Sequence, residues 1–384
     1  MNRIALIGTG LIGGSLGLAI RARHPETEVA CFDASGDEAA LALARGAATH
    51  IAPSAREAAS GAELVVLAVP TGAVAEVLRE IAPVLAPGTV VTDVASVKGP
   101  VVRAAREVLP PQVTFVGGHP MAGAEKGGMA HADALLFENA VYVLTPEAPG
   151  EAEGAAQTQG VGYTLPIPPS PFDRCPIPPE ALWLVEAAGA RAVRMDADRH
   201  DAVVASVSHL PQLLAVALVQ HAAQTGDDAL ALAAGGFRDM TRIASSPFGM
   251  WGDILGANRD AVLGALDAFA RGLGDLRAAV SAGATPDLRE AFGQAAGVRD
   301  AIPSHSKGFL APLAEVTLWA EDRVGFLAGV TGALSDAGLN IKDMELLRVR
   351  EGAGGAFRLA FADGATADAA IGVLRARGLR AERR

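Results

Sequence analysis

Six short apolar runs punctuate the first 146 residues, at Ile4–Ile7, Val29–Phe32, Leu64–Val69, Thr89–Val91, Val113–Val116 and Val141–Leu144. Each is β-branched or aromatic in character, is bounded by Gly, Pro or Asp, and is separated from the next by a helical pattern. Continuous apolar character, without alternation, marks strands covered on both faces, so this region predicts an α/β domain on a parallel sheet. From Pro146 to Pro179 the period vanishes into Pro, Gly and small polar residues, which reads as a long loop or linker. One helix (Glu180–Ala188) and one strand (Ala190–Met195) follow. From about Asp198 to Ala301 the pattern is helical throughout. Val203, Val204, Val207, Leu210, Leu213, Leu214, Ala217 and Leu218 cover most of one helix circumference, which predicts burial, most simply in a subunit interface. After a second proline-bearing linker, Pro303–Pro312, the order is β (Ala314–Ala320), α (Gly325–Asp336), β (Ile341–Arg350), β (Ala356–Ala362), α (Thr366–Arg375) and a final edge strand. The expected domains are therefore 1–178, including the loop 147–179, then 180–303, then a small α+β domain at 312–384.

Composition narrows the function classes. With 384 residues, half of them hydrophobic, the chain has material for several cores and no signature of bulk disorder. Its 32 basic and 43 acidic residues give a net charge of −11. That balance excludes an extended phosphate-binding surface, so no nucleic-acid partner is expected, and an anionic ligand must be held by a local positive cluster. Two cysteines, Cys31 and Cys175, cannot make a disulfide framework, and neither has metal-ligand company, so no metal is expected. The start of the chain does not read as a signal peptide, and no stretch approaches the roughly 18–20 uninterrupted apolar residues of a membrane span. A cytoplasmic protein without a membrane partner is the expectation.

The sharpest local motif is IALIGTGLIGGS. Gly8, Gly10 and Gly13 form G-x-G-x-x-G after a strand and at the start of a helix. The first glycine suits a tight turn, the second lets backbone approach a pyrophosphate, and the third permits close helix–strand packing. The helix N-terminus offers free N–H groups to the phosphates. A bare glycine turn would be weak in so glycine-rich a chain, but Asp33, twenty residues after Gly13 at the end of the second run, completes a dinucleotide site. A carboxylate there accepts from a ribose 2′-hydroxyl and repels a 2′-phosphate, so the expected cofactor is NAD. Leu11 and Ile12 in the turn, and Val69 and Pro70 at the end of the third run, are assigned to the same ligand.

Polar residues after the later strands lie where ligands bind in open α/β sheets. They are Ser96 and Lys98 in DVASVKG, and His119, Glu125 and Lys126 in GGHPMAGAEKGG. His119 could accept a proton from an alcohol near neutrality, or could simply bond its own loop. In the helical region His200 and His209 stand nine apart, and Arg238 and Arg242, at i and i+4, would share a helical face from which guanidiniums could clamp carboxylates. Arg238 could equally pair with Asp239 or Asp253.

The motifs GTGLIGGS, DVASVKG, GGHPMAGAEKGG, HDAVVASVSHLP and GGFRDMTRIASSP, in this order, resemble the prephenate dehydrogenase family, and the last domain resembles an ACT domain. The resemblance covers all but the Pro-rich segment. It implies an NAD-binding Rossmann-type domain, a helical domain that forms a homodimer, and oxidative decarboxylation of prephenate to 4-hydroxyphenylpyruvate in tyrosine biosynthesis. It implies His119 as catalytic histidine, Ser96 as its orienting partner, Arg242 as anchor of a substrate carboxylate, Glu125 as a gate, and His200 and His209 as cleft residues. Many relatives carry a histidine where this chain has Gln212, beside the substrate side chain, which leaves prephenate and its aminated form, arogenate, both open as substrates. In the ACT-like loop Asp322, Gly325 and, further on, Asn340 match positions that would hold an effector, expected to be tyrosine, although Val324 replaces the usual proline. Two other classes stay in view. A 6-phosphogluconate-type dehydrogenase would need a lysine in the helical domain, where none occurs between Lys126 and Lys307; a non-catalytic amino-acid sensor would not need Ser96, His119 and Arg242.

Overall fold

The apolar runs become strands of one eight-stranded sheet in a computed structural model of the chain, which describes residues 1–123, 126–146, 175–301, 313–320, 323–350 and 354–383. The strands are β1 (Arg3–Ile7), β2 (Glu28–Phe32), β3 (His50–Ile51), β4 (Leu64–Leu67), β5 (Val90–Asp93), β6 (Thr114–Pro120), β7 (Val141–Thr145) and β8 (Arg191–Arg194), in the order β3-β2-β1-β4-β5-β6-β7-β8. Helices α1 (Leu11–Arg23), α2 (Gly36–Ala44), α3 (Ala55–Ala59), α4 (Val74–Ile81), α5 (Gly99–Val108) and α6 (Pro179–Ala187) connect or cover them. Alternate residues of one strand enter opposite cores. Ile4 and Leu6 pack with Leu16 and Ile20 of α1, whereas Ala5 and Ile7 pack with Leu78 and Ile81 of α4. Burial on both faces explains why these strands carry no polar alternation.

Three details differ from the sequence expectation. β7 runs antiparallel to β6; the described residues of the connection between them hold a single 3-10 turn, Met129–His131, and no crossover helix. The two-residue β3 is too short to leave an apolar signature. The segment expected to open the helical domain at 180 instead completes the sheet: β8 pairs in parallel with β7, and Leu184 and Val185 of α6 are buried in the sheet's core. The Pro-rich loop lies outside the described residues from 147 to 174.

Beyond β8 come α7 (Ala197–Val204), a π-helical turn at Ala205–His209, and then α8 (Leu210–Thr225), α9 (Asp227–Ala231), α10 (Gly235–Thr241), α11 (Phe248–Ala257), α12 (Arg259–Ser281) and α13 (Thr285–Ala301). The burial expected for the apolar circumference is not reached within one chain. Val203 is 38% and Val207 62% exposed, as are Leu273 (56%) and Val280 (67%) on α12. Within Ala197–Thr225 an 18-residue stretch has a mean hydropathy of 1.9, so the run is by length and composition able to cross a membrane, and 28% of that stretch is buried.

The chain divides into two compact units, Met1–Gln294 and Ala295–Arg384. The second contains β9 (Ala314–Ala320), α14 (Phe326–Asp336), β10 (Asp343–Arg350), β11 (Gly354–Phe361), α15 (Gly364–Ala376) and β12 (Ala381–Arg383), the expected βαββαβ order. Its antiparallel sheet runs β10-β11-β9-β12. Val316, Leu318, Leu359 and Phe361 face Val330 and Leu334 of α14 and Ile371 and Leu374 of α15. Arg358, alternating with them on β11, is held by Glu315, Asp343 and Glu345, so this sheet has one apolar and one ion-paired face.

Candidate active site

The glycine turn takes its shape from two close approaches. Gly8 has φ +95°, and a Cβ there would stand 2.3 Å from the Ala68 carbonyl oxygen; a Cβ on Gly13 would stand 2.0 Å from the oxygen of Gly8. Only glycine fits either place. At Gly10, by contrast, no atom of the described residues would meet a Cβ within 4 Å, so the backbone there is open to approach. Gly10 caps α1 without a side-chain hydrogen bond, and the first helical turn carries no acidic residue, which leaves the N–H groups of the Leu11–Ile12 turn and the positive helix end for an anion. Asp33 follows β2. Its Oδ2 accepts from the Thr9 N–H (2.6 Å) and hydroxyl (3.1 Å), and its Oδ1 accepts from Ser35 N–H (2.8 Å). The carboxylate thus fixes the turn as well as being placed beside it, and Thr9 is a partner the sequence reading missed. Val69 and Pro70 directly follow Ala68, against which the turn packs.

At the ends of β5 and β6 a fully buried ion pair, Asp93 with Lys98, clamps the peptide of Gly118. Asp93 Oδ1 accepts from Gly118 N–H (3.1 Å), while Lys98 Nζ donates to the Gly118 carbonyl (2.7 Å) and to Asp93 Oδ2. A Cβ on Gly118 would fall 2.4 Å from the Asp93 carbonyl oxygen, so the glycine before His119 is required by packing. Burial lowers the Lys98 pKa, and Asp93 opposes that shift. The pair therefore sets where the His119 backbone emerges, at the carboxyl end of β6. Ser96 is half-buried on the turn between the two members of the pair.

His200 and His209 come together only because the helix is irregular. Nine residues of regular α-helix turn through about 900°, which puts the two on opposite faces. The π turn at Ala205–His209 inserts one extra residue and reduces the offset to about 80°. Pro211 accounts for the irregularity, since it has no N–H for the carbonyl of Val207. Both histidines are 1% exposed. His200, expected as a cleft residue, sits behind His119: its Nε2 lies 2.8 Å from His119 Nδ1, and its Nδ1 lies 2.8 Å from Asp201 Oδ1. Asp201 Oδ1 and Oδ2 accept from the backbone N–H groups of Lys98 (2.7 Å) and Gly99 (2.8 Å). Asn258 donates to the Asp201 carbonyl (2.8 Å) and to His209 Nδ1 (3.3 Å), so the His209 proton resides on Nε2. The His209 ring stands edge-on to Trp251 at 6.0 Å.

Electrostatics favours the neutral forms of His119 and His209. Burial first, then His200, Lys98 and His209, hold the His119 pKa well below the ordinary 6.5. Burial also pushes His209 down to about 4, against the opposing pull of Asp201. A neutral imidazole whose Nδ1 is already engaged can accept a proton at Nε2, which is what alcohol oxidation needs.

Gln212, one turn beyond His209, is 5% exposed; its Nε2 donates to the Ile243 carbonyl (3.0 Å), and its Oε1 has no partner among the described residues. That bond ties α8 to the 3-10 turn Arg242–Ser245. Arg242 opens this turn, because α10 ends at Thr241; Arg238 and Arg242 therefore do not share a regular helical face as the i, i+4 spacing suggested. Glu125 and Asp322 lie outside the described residues. In the second unit Gly325 caps α14 with φ +81°, and Asn340 lines a surface pocket with Thr331, Ser335, Leu339 and Ile341. Three partners were not singled out in the sequence: Asp93 and Asp201, although they stand inside DVASVKG and HDAVVASVSHLP, and Asn258. They become visible only when β5, α7 and α12 meet.

Comparison with known proteins gives three family matches: prephenate dehydrogenase, nucleotide-binding domain, over residues 16–160; prephenate dehydrogenase, dimerization domain, over 196–294; and ACT domain over 314–378. Prephenate dehydrogenase of Bacillus subtilis is 33% identical over 94% of this chain and 92% of its own length. Cyclohexadienyl dehydrogenase of Zymomonas mobilis is 32% identical over 78% of this chain and 96% of its own. Among solved structures, prephenate dehydrogenase from A. aeolicus in complex with hydroxyphenyl propionate and NAD+ matches with a TM-score of 0.66 at 27% identity, over 79% of this chain and 98% of that one. Synechocystis arogenate dehydrogenase matches with a TM-score of 0.63 at 27% identity, over 78% of this chain and 99% of that one.

Proposed function

The chain belongs to the prephenate dehydrogenase family, and we propose on that footing that it oxidatively decarboxylates prephenate to 4-hydroxyphenylpyruvate in tyrosine biosynthesis, with His119 as its base. It is an NAD-dependent oxidoreductase. The observation that carries the reading is His119 itself, neutral and held by Nδ1 at the carboxyl edge of the sheet.

The residues present fit NAD. The open approach at Gly10 and the uncapped start of α1 suit its pyrophosphate, and Asp33 suits a ribose hydroxyl, with Leu11, Ile12, Val69 and Pro70 alongside. When bound, NAD+ supplies the hydride acceptor. His119 Nε2 draws the proton from the substrate 4-hydroxyl as C4 becomes carbonyl-like. Ser96 holds that hydroxyl beside the imidazole, and Arg242 binds a substrate carboxylate. The ring then takes up the electron pair of the C1–carboxylate bond, CO2 departs, and the borrowed proton returns to the oxygen as the phenol. Glu125 is assigned to the entrance and His209 to the cleft wall.

We propose further that the enzyme is a homodimer, with Ala197–Thr225 forming part of its interface. The Asp201 carboxylate in this run is bound to the backbone at the start of α5, which supports an intersubunit face over a membrane span. Buried, unpaired Cys31 and Cys175 agree with a cytoplasmic setting, and the pocket at Asn340 agrees with tyrosine as effector of the ACT domain. A second reading, arogenate as substrate, is favoured by Gln212: its unpartnered Oε1 would accept from an ammonium group. NADH formation with prephenate and with arogenate, followed in parallel, tests both. NADH and 4-hydroxyphenylpyruvate from prephenate support the main reading; NADH from arogenate alone replaces it with the second.

A further inference from the structure

We propose that Asp201 and His200 are positioning residues that hold the His119 proton on Nδ1, so that Nε2 faces the substrate as acceptor; this rests on His119 being the base of the proposed reaction.

With His200 carrying a single proton, the donors and acceptors have one consistent order. A carboxylate only accepts, and that of Asp201 is fixed independently of any histidine, by Lys98 N–H (2.7 Å) on Oδ1 and Gly99 N–H (2.8 Å) on Oδ2. His200 Nδ1, 2.8 Å from Oδ1, must therefore carry a proton and donate it. With one proton on that ring, His200 Nε2 is bare. It lies 2.8 Å from His119 Nδ1, which must then be the donor. The same neutral ring keeps its lone pair on Nε2. His200 is 1% and Asp201 7% exposed, so water does not compete for these bonds. Asn258 grips the Asp201 carbonyl (2.8 Å) from α12's leading edge, and the Gly118 clamp fixes His119 from the sheet side. When His119 takes the substrate proton, its new charge faces His200 and, through it, the Asp201 carboxylate. The relay orients the base and does not itself become protonated. The charged and titratable groups facing His119 are His200, His209 and Lys98, with Asp201 behind His200.

Asparagine at position 201 cannot accept from Lys98 N–H, Gly99 N–H and His200 Nδ1 together, because one of its two terminal atoms is itself a donor, so the proton order along the relay is no longer fixed. Asp201→Asn and His200→Phe are each expected to lower kcat by about 10²–10⁴, with KM for prephenate and the Kd for NAD within about threefold of the parent. His200→Gln, whose side-chain oxygen can replace the Nε2 acceptor, is expected to recover at least about tenfold over His200→Phe. The tautomer is read directly by ¹⁵N NMR of histidine-labelled enzyme at neutral pH, with the His119 signals identified by their loss in His119→Asn. The parent enzyme should show His119 protonated on Nδ1 and bare on Nε2, and Asp201→Asn should weaken that preference. A His119 proton on Nε2 in the parent enzyme, or full turnover in His200→Phe, would overturn the relay. Because the NMR measurement needs neither turnover nor a folded variant at 201, it separates failure of the relay from failure of His119 as base, which full activity of His119→Asn would reveal.

Discussion

The two walls of the site reach their final form in different ways. On the sheet wall each polar group that sets His119 is satisfied within one chain: Asp93, Lys98 and Gly118 bond one another in full burial. The helical wall contributes His200, Asp201 and His209, all buried, yet Val207 in the same run and Leu273 and Val280 on α12 are more than half exposed. A monomer thus holds a finished chemical edge against a support whose back is open. The difference suggests a division of labour, in which the sheet fixes the atoms of the reaction and the proposed dimer stiffens the helices that orient them.

Perturbing each wall in turn sharpens that contrast. The largest stability effect belongs to the sheet wall. Lys98→Met strands the Asp93 carboxylate in a dry site and should destabilise the fold by about 3–5 kcal/mol, as measured by chemical denaturation. A loss below about 1 kcal/mol would mean that water reaches the pair. On the helical wall Leu273→Asp, which places a charge on an apolar face, should halve the sedimenting mass while leaving the cooperativity of sheet unfolding intact. An unchanged mass would remove α12 from the interface. The smallest effect is local: Asp196, which caps α7 by accepting from Arg199 N–H (2.8 Å), should cost about 1 kcal/mol on replacement by alanine, read as a small fall in Tm.

The same contrast decides how much was legible in the chain. The glycine turn and His119 are local features: the spacing of Gly8, Gly10 and Gly13 and the Gly-Gly-His-Pro run carry their own geometric reasons, so they could be read from sequence. The strands were legible because burial on both faces leaves continuous apolar runs. His200 was misplaced, since nothing in a nine-residue spacing announces a π turn, although Pro211 is a signal that could have raised the question. Asn258 is not legible because its partners, Asp201 and His209, lie about fifty residues back, and the Asp93–Lys98 pair, though only five residues apart, gives no sign in sequence that it closes on Gly118. The edge of the sheet was misassigned because α6 and β8 follow a long aperiodic segment that hides their continuity with β7. Arg242 was read on a helical face that ends one residue before it.

Turnover by this site requires His119 to be a neutral base held by its neighbours, and the pH dependence of kcat/KM for prephenate tests this most directly. Burial, His200, Lys98 and His209 all disfavour the imidazolium, so its pKa lies below 6.5. Activity should therefore rise with pH through an ionisation on the acid side of 6.5 and be level by neutrality. In His119→Asn that limb should vanish while the remaining rate falls by about 10²–10⁴. A midpoint above 6.5 in the parent enzyme, or the same limb persisting in His119→Asn, would contradict the claim.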